Sequence, residues 1–555
     1  MLEIVQKVNK AIWEDDKKSR KLLTFSGMKE TISNHMKIVD KEDGANNGED
    51  PSKPTKMTNE QKHKQPKNSP KGLFGFLIGP LLFFIVLILP LNGLSFEGKS
   101  VLATLLWVVS WWITGPMALG AVSLLPIILL PMFGAVDGVT ATKAFGDPLN
   151  FLFLGGFAIA LALEKWRLHE RIALTVIGFF GGSTSGIVLG ILLSSGFISM
   201  WVSNTATAMM LLPIGTAVSA TVMNLMKQEG VYTKEDDKNF TTSVVLGIAV
   251  GATIGGSATL IGTPPNLILA GLVQEITGFE IPFASWMLFA VPLTLVLMGF
   301  TAFYMTRFGF PLKVKRLEKG KEAIQIELAK LGKMTYEEKV VTFIFSLTIF
   351  FWLTRTFIWQ DIIPGISDTM IAMFAAVLIY MWPASKKHGG KILNADSFAK
   401  MPWSVLLMIG GGLSIAAGFT STDLATWIGS QLLALEGSPY YIILGAAGLL
   451  AITMTQVAPN TATTTILVPI SAALAQAVGV NPIPVMVITA LGAGFAFMLP
   501  IGTPTFGVVY ASGKIDMKDM IKAGTWIVIA AFILIFLFTF FLFPVIMGID
   551  PLQAI

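Results

Sequence analysis

Apolar residues fill long uninterrupted stretches of this chain and do not alternate with polar ones as in a surface helix or strand. Two of these stretches, from Leu73 to Leu91 and from Trp526 to Met547, carry no charge. Each is long enough to cross about 30 Å of hydrocarbon as an α-helix. The pattern therefore predicts an all-α polytopic membrane protein.

Lysine and arginine cluster between the apolar stretches, and cytoplasmic loops of membrane proteins carry an excess of both residues. With a cytoplasmic N-terminus and the basic loops inside, the chain is predicted to have eleven transmembrane helices and two re-entrant hairpins. The predicted crossings are 73–91, 101–113, 118–133, 151–163, 242–272, 285–304, 340–356, 370–382, 403–419, 482–511 and 526–547, and the hairpins are 186–221 and 443–475. Both hairpins carry their polar residues in the middle.

Composition divides the chain into four predicted parts. Residues 1–72 are polar, mixed in charge and poor in aromatic residues, which predicts a disordered cytoplasmic tail. Residues 73–306 hold the first scaffold helices and a first repeat, and residues 307–339 form a basic cytoplasmic linker. Residues 340–555 hold a second repeat and the last span.

Two similar motifs, SNTAT from Ser203 and PNTAT from Pro459, reveal the internal repeat. Their asparagines are 256 positions apart (460 − 204), and so are Gly155 and Gly411 (411 − 155) of two further related motifs. The repeat continues in GTPP and GTPT, which interrupt the spans 242–272 and 482–511. The predicted topology gives the two copies opposite orientations, as in secondary transporters that bind substrate between inverted repeats.

Serine, threonine and asparagine are the polar residues of these segments, beside glycines and prolines that interrupt the helices. Isolated residues such as Thr207 and Ser414 are explained more simply as small side chains that let helices pack closely. Matched pairs of interrupted helices are not explained by packing alone. Free carbonyls with Asn, Ser and Thr oxygens suit a hard cation such as Na⁺, and helix N-termini suit an anion.

Ionisable residues are absent from both hairpin tips and both interrupted spans. Proton-coupled carriers usually need a titrating group in the membrane, so proton coupling is disfavoured. With no Arg or Lys present, the charge of an anion would be offset by bound cations and helix dipoles, which predicts obligatory cation coupling.

Other classes of function find little support in the composition. The chain has no cysteine, and its histidines (His35, His63, His169 and His388) lie outside the predicted spans, so an intramembrane enzyme is not expected. The net charge of +5 resides in loops and tail, where membrane topology explains it without a nucleic-acid partner.

The SNTAT, PNTAT, GTPP and GTPT motifs resemble those of the divalent anion/sodium symporter family, over Leu73 to the C-terminus. The resemblance implies a homodimer in which a transport domain slides like an elevator against a scaffold. It also implies Na⁺-coupled import of C4 dicarboxylates (succinate, malate, fumarate) across a bacterial cytoplasmic membrane. An exchanger of the same fold, or a carrier of another divalent oxyanion such as sulfate or citrate, stays open as an alternative.

Site residues are also implied by the resemblance. The first sodium site would comprise Ser199, Ser203, Asn204 and Gly256, and the second Thr455, Ala458, Asn460 and Gly502. Substrate carboxylates would contact Ser203, Asn204, Thr205, Ser257, Asn460, Thr461, Thr503 and Pro504.

Pro459 departs from the family motif, which usually has serine there. Proline supplies neither a hydroxyl nor an N–H, so one hydrogen bond to a carboxylate would be missing, which weakens binding roughly tenfold. Alternatively, Pro459 stiffens the tip of the hairpin.

Overall fold

A computed structural model describes residues 70–553 except 231, 313–319, 432–437 and 501. The predicted tail lies almost entirely outside the described residues. The described residues form helices and their connections, with one isolated bridge between Pro383 and Lys391.

The α-helices are α1 (Pro70–Ile88), α2 (Phe96–Thr114), α3 (Leu119–Val122), α4 (Leu125–Met132), α5 (Gly138–Lys143), α6 (Pro148–Lys165), α7 (Leu168–Phe180), α8 (Thr184–Ser199), α9 (Asn204–Gln228), α10 (Lys234–Gly256), α11 (Pro264–Thr277), α12 (Phe283–Tyr304), α13 (Gly320–Lys330), α14 (Tyr336–Thr354), α15 (Gln360–Ile362), α16 (Asp368–Met381), α17 (Trp403–Ser421), α18 (Leu424–Gln431), α19 (Tyr440–Met454), α20 (Asn460–Ala477), α21 (Pro482–Gly494), α22 (Pro504–Ala511), α23 (Met517–Leu537) and α24 (Phe543–Met547). π-Helical turns extend α12, α14 and α23 at Met305–Gly309, Arg355–Trp359 and Phe538–Leu542. Short 3₁₀ helices lie at Ala144–Gly146 and Ala395–Lys400.

Several of these helices have the length and composition of membrane spans. In the described part of the chain, seven helical segments are long and apolar enough to cross a membrane: Gly138–Lys165, Asn204–Gln228, Lys234–Gly256, Phe283–Gly309, Tyr336–Ile362, Trp403–Ser421 and Met517–Met547. Shorter apolar helices include Thr184–Ser199, Asp368–Met381, Tyr440–Met454 and Pro482–Gly494. The all-helical class predicted from the apolar runs is confirmed, and the count of eleven crossings stays a prediction.

Some helices begin in polar sequence, before the apolar run from which the span was predicted. Helix α10 begins at Lys234, eight residues before the predicted span, because Thr233 caps it by accepting a hydrogen bond from the Asp236 N–H. Three acidic residues in the first turn of α10 interact favourably with the helix dipole. Hydropathy does not detect such a polar helical turn.

Helices of the two repeats begin in register. The pairs α7 and α18, α8 and α19, and α9 and α20 begin at residues 168 and 424, 184 and 440, and 204 and 460, each 256 positions apart (460 − 204). The later helices α11 and α22 begin at 264 and 504, which are 240 apart (504 − 264). The motif repeat is therefore also a repeat of helix boundaries.

Glycines let the first arm of each hairpin lie directly against its neighbouring interrupted helix. A methyl group on Gly251 of α10 would lie 2.6 Å from the carbonyl oxygen of Leu192 in α8, and one on Gly255 would overlap the backbone of Gly196. In the second repeat, a methyl group on Gly492 of α21 would lie 3.0 Å from the Gly448 carbonyl oxygen in α19. These contacts fix each hairpin tip beside an interruption.

The second arms pack across the repeats. Helix α9 contacts α22, and α20 contacts α11. The helices on either side of the two interruptions also contact one another across the repeats, because α11 contacts α21 and α10 contacts α22. Both tips and both interruptions therefore meet in one central region.

Replacing Gly255 by alanine tests this close packing. We expect Gly255→Ala to lower the melting temperature of the purified protein, because overpacking a closely packed contact costs about 1–3 kcal/mol. The matched control is Gly299→Ala, since Gly299 is exposed on α12 and a methyl group there meets no atom within 4 Å. Equal melting temperatures for the two variants would contradict the proposed role of Gly255.

Candidate cation and anion site

The first hairpin tip connects α8, which ends at Ser199, to α9, which begins at Asn204. Ser199 Oγ donates a hydrogen bond of 2.7 Å to Asn204 Oδ1. Ser203 caps α9, because its hydroxyl oxygen accepts a hydrogen bond of 3.4 Å from the Ala206 N–H. The tip is a turn of four residues between two helix ends, with the asparagine side chain folded back towards Ser199.

The first interruption, between Gly256 of α10 and Pro264 of α11, lies against this tip. Asn204 Oδ1 occupies the space that a side chain on Gly256 would need. A methyl group on Gly262 would lie 2.9 Å from the carbonyl oxygen of Ser199, and closer still to that of Gly256. Three oxygens, from Ser199, Asn204 and Gly256, thus gather where the tip meets the interruption.

The second tip repeats this arrangement. Thr455 Oγ1 lies 2.8 Å from Asn460 Oδ1 and 2.6 Å from the carbonyl oxygen of Ala493. Asn460 Nδ2 donates to the Gly494 carbonyl at 2.9 Å, which orients the Asn460 oxygen towards Thr455. A methyl group on Gly502 would lie 3.3 Å from the Thr455 carbonyl oxygen. Both tips therefore have a hydroxyl group paired with an asparagine oxygen. In both, a glycine of the neighbouring interruption (Gly262 or Gly502) lies close to a carbonyl oxygen of the tip.

Burial differs among the predicted ligands of the cation and the anion. Ser199 and Thr455 are fully buried, and Ala458, Gly256 and Gly502 are buried as well. The predicted anion ligands at the tips are half-buried (Ser203, Asn204, Thr205, Asn460 and Thr461), and Pro504 is exposed. Ser203 and the two asparagines belong to both predicted sets.

Ser257, at the start of the first interruption, lies close to Gly494, where the second interruption begins. It is buried, and its hydroxyl lies 3.8 Å from the position of a methyl group on Gly494. Thr205 Oγ1 and Thr505 Oγ1 lie 3.4 Å apart and join the first tip to α22. Thr503 directs its hydroxyl to its own helix, where it accepts from the Phe506 N–H at 3.4 Å. The structure therefore brings most predicted site residues into one region, with Thr503 capping its helix and Pro504 on the surface.

Two buried amide side chains in this region were not predicted from the sequence. Asn266 Nδ2 donates to the carbonyl oxygens of Ser257 and Thr259, at 3.1 and 2.7 Å. Gln456 makes four hydrogen bonds, of which three join the second tip to the second interruption and one returns to Ile452 of α19. Neither residue has a counterpart in the other repeat, where Phe506 and Met200 occupy the related positions, so a comparison of repeats overlooks them. A lone amide in an apolar segment is the signal that identifies them.

Pro459 begins α20 with the backbone conformation of its serine counterpart. Its φ and ψ are −60° and 137°, against −56° and 144° for Ser203, so proline fits this position without strain. No side chain caps α20. The other hairpin start shows the same exchange, since Ser183 caps α8 and Pro439 precedes α19. Proline thus replaces a capping serine at both helix starts of the second hairpin.

The donor set is neutral throughout. In the part of the chain that the structure describes, no cluster of three or more His, Cys, Asp or Glu is placed to hold a metal ion. Carbonyl, hydroxyl and amide oxygens are the ligands of hard cations and suit transition metals poorly. The site is therefore suited to a hard cation.

Two solved transporter structures share this fold. The chain matches Neisseria gonorrhoeae MtrF, from work on a class of antimetabolite efflux pumps, with a TM-score of 0.52 and 14% identity, over 78% of this chain and 97% of the other. It matches the Alcanivorax borkumensis YdaH transporter with a TM-score of 0.53 and 10% identity, over 87% and 100% of the two chains. The chain therefore shares the helical fold of these two proteins.

Sequence similarity then identifies the family. The family model described as the sodium:sulfate symporter transmembrane region matches residues 73–549. The sodium-dependent dicarboxylate transporter SdcS of Staphylococcus aureus (strain USA300) is 40% identical over 489 residues, 87% of this chain and 93% of its own. SdcS of Staphylococcus saprophyticus is 41% identical over 487 residues, with the same coverage. The chain belongs to the divalent anion/sodium symporter family, which confirms the resemblance seen in its motifs and the prediction that it is not an enzyme.

Proposed function

We propose that this protein is a sodium-coupled symporter that imports C4 dicarboxylates such as succinate, malate and fumarate across the bacterial cytoplasmic membrane. The observation that carries the proposal is the paired convergence of neutral oxygens at the two tips, at Asn204 and at Asn460. Relatives named sodium-dependent dicarboxylate transporters support both the cation and the substrate class.

The hydrogen bonding of Thr455 favours a cation at the second site. Its hydroxyl has one proton but lies within hydrogen-bond distance of two acceptors, Asn460 Oδ1 and the Ala493 carbonyl oxygen. One of the two contacts must therefore lack a proton at any moment. A sodium ion beside Asn460 Oδ1 would stabilise that oxygen while the hydroxyl donates to Ala493.

The first site offers the equivalent ligands from Ser199, Ser203, Asn204 and Gly256. Its Ser199–Asn204 pair has nearly the same length as the Thr455–Asn460 pair, 2.7 against 2.8 Å. Thr455, Ala458, Asn460 and Gly502 would form the second site. In each site the side-chain oxygen of the asparagine would bind sodium. The half-buried face of the same asparagine would contact the substrate.

The substrate carboxylates would lie between the two half-buried tips. Helices α9 and α20 begin there, and helix N-termini attract anions. Asp, Glu, Lys, Arg and His are absent from the tips and interruptions, so sodium ions and helix dipoles would balance the carboxylates. Substrate binding would then require bound sodium, which is the basis of coupling.

The proposed transport mechanism is an elevator movement within a homodimer. Supporting it, each hairpin packs on its own interrupted helix and on half of the other one, which makes these helices one connected body. In this proposal, residues 73–306 and 340–555 hold inverted repeats joined by the linker 307–339, with eleven crossings and a cytoplasmic N-terminus. The protein would work as a multi-pass protein of the lipid bilayer, with a dicarboxylate and Na⁺ as its small-molecule partners.

Sulfate is the second candidate substrate, because the family description names sulfate. Hydroxyl groups and helix N-termini accept sulfate as readily as a carboxylate. Competition between anions separates the two candidates.

Uptake by proteoliposomes tests the proposed function. We expect labelled succinate to accumulate when an inward Na⁺ gradient is imposed, because cation binding completes the anion site. Unlabelled malate and fumarate should compete more strongly than sulfate or citrate. Equal uptake in Na⁺-free choline buffer of the same ionic strength would contradict symport, and counterflow without sodium would indicate an exchanger.

Restoring serine at position 459 tests the anion site. We expect Pro459→Ser to lower the half-saturating succinate concentration up to roughly tenfold at saturating Na⁺, because it adds a hydroxyl donor at the second tip. Pro439→Ser is the matched control, since Pro439 begins the other arm of the same hairpin in a similar conformation, with φ of −55° and ψ of 142°. An unchanged affinity in Pro459→Ser would argue that Pro459 has no part in substrate binding.

A further inference from the structure

Gln456 is a buried polar side chain at the second hairpin tip, with 7% of its surface exposed. Its Nε2 donates to the carbonyl oxygens of Ile452 and Phe495, at 2.7 and 2.9 Å. Its Oε1 accepts from the N–H groups of Phe497 and Met498, at 3.1 and 3.3 Å. A single amide therefore satisfies four backbone groups, of which three belong to the second interruption.

The backbone that Gln456 holds is the wall of the second cation site. Phe495 directly follows Gly494, whose carbonyl accepts from Asn460. The Gln456 and Thr455 carbonyl oxygens each lie 3.3 Å from the position of a methyl group on Gly502. Displacing the segment Phe495–Met498 would move these groups relative to one another.

The first repeat holds its interruption by other means. Met200, the counterpart of Gln456, has no side-chain amide, and its carbonyl oxygen accepts a hydrogen bond from Thr259 Oγ1 at 2.5 Å. Asn266 then supports the interruption from α11 by binding the carbonyls of Ser257 and Thr259. The two proposed cation sites thus have similar oxygens, but different side chains hold the neighbouring interruptions. Gln456 can therefore be substituted without changing the contacts of Asn266.

We propose that Gln456 is a positioning residue that sets the sodium affinity of the second cation site by holding the interruption between α21 and α22 against the hairpin tip. This inference rests on the proposed sodium-coupled function. Because binding a small cation depends on the spacing of several fixed oxygens, loss of the support weakens sodium binding more than it weakens substrate binding at saturating sodium.

Gln456→Met, which places the residue of the first repeat in the second, is the test variant. We expect the half-saturating Na⁺ concentration for succinate uptake to rise roughly tenfold, as for the loss of hydrogen bonds at the site. The maximal rate and the half-saturating succinate concentration at saturating Na⁺ should stay within about twofold, because excess sodium restores the site. Gln476→Met is the matched control, since Gln476 is exposed on α20 of the same hairpin.

A second readout uses sodium alone and no substrate. Sodium should raise the melting temperature of the wild-type protein, and Gln456→Met should need about tenfold more sodium for the same rise. If wild-type protein shows no sodium effect in either assay, the proposed function fails. If wild-type protein responds and Gln456→Met responds equally, the function stands and the role of Gln456 is wrong.

Gln456→Asn covers the case in which Gln456→Met does not fold. It keeps the amide on a side chain one methylene shorter, so it cannot reach all four partners, and its sodium dependence should shift in the same direction. An unchanged sodium dependence in either folded variant overturns the proposal. Failure of both variants to fold also overturns it, since Gln456 would then determine the fold and not the affinity of one site.

Discussion

The structure depends on how backbone groups are satisfied where helices stop inside an apolar chain. Each interruption frees carbonyl and N–H groups that lipid cannot satisfy, so protein or cargo has to do so. Asn266 and Gln456 satisfy part of this demand through buried hydrogen bonds. Neutral oxygens converge around Asn204 and Asn460, and in the proposed function these oxygens bind sodium without a carboxylate ligand.

The duplicated motifs allowed most residues of the candidate site to be named from the sequence. Residues 256 positions apart serve equivalent purposes: Ser199 and Thr455 both pair with an asparagine five residues later. The interrupted span predicted at 482–511 coincides with α21 and α22. Such agreement is possible because glycine, proline and asparagine mark helix ends through backbone chemistry that the sequence displays directly.

The remaining features depend on contacts that hydropathy does not encode. Helices α7 and α18 were not predicted, because one is polar along its first turn and the other has only eight residues. Asn266 and Gln456 were overlooked because their partners are backbone groups of the interruptions, whose folding hydropathy does not describe. Neither amide is present at the matching position of the other repeat. The two repeats therefore hold their interruptions with different side chains while keeping similar oxygens at the tips.

The central claim is that the two tips form two equivalent cation sites, and a count of bound sodium tests it most directly. Equilibrium binding of radioactive sodium to the purified protein without any anion should show two ions per protein chain. Asn204→Ala and Asn460→Ala should each retain one, because each removes one oxygen from one site. Two bound ions in both variants, or binding that neither asparagine affects, would contradict the account.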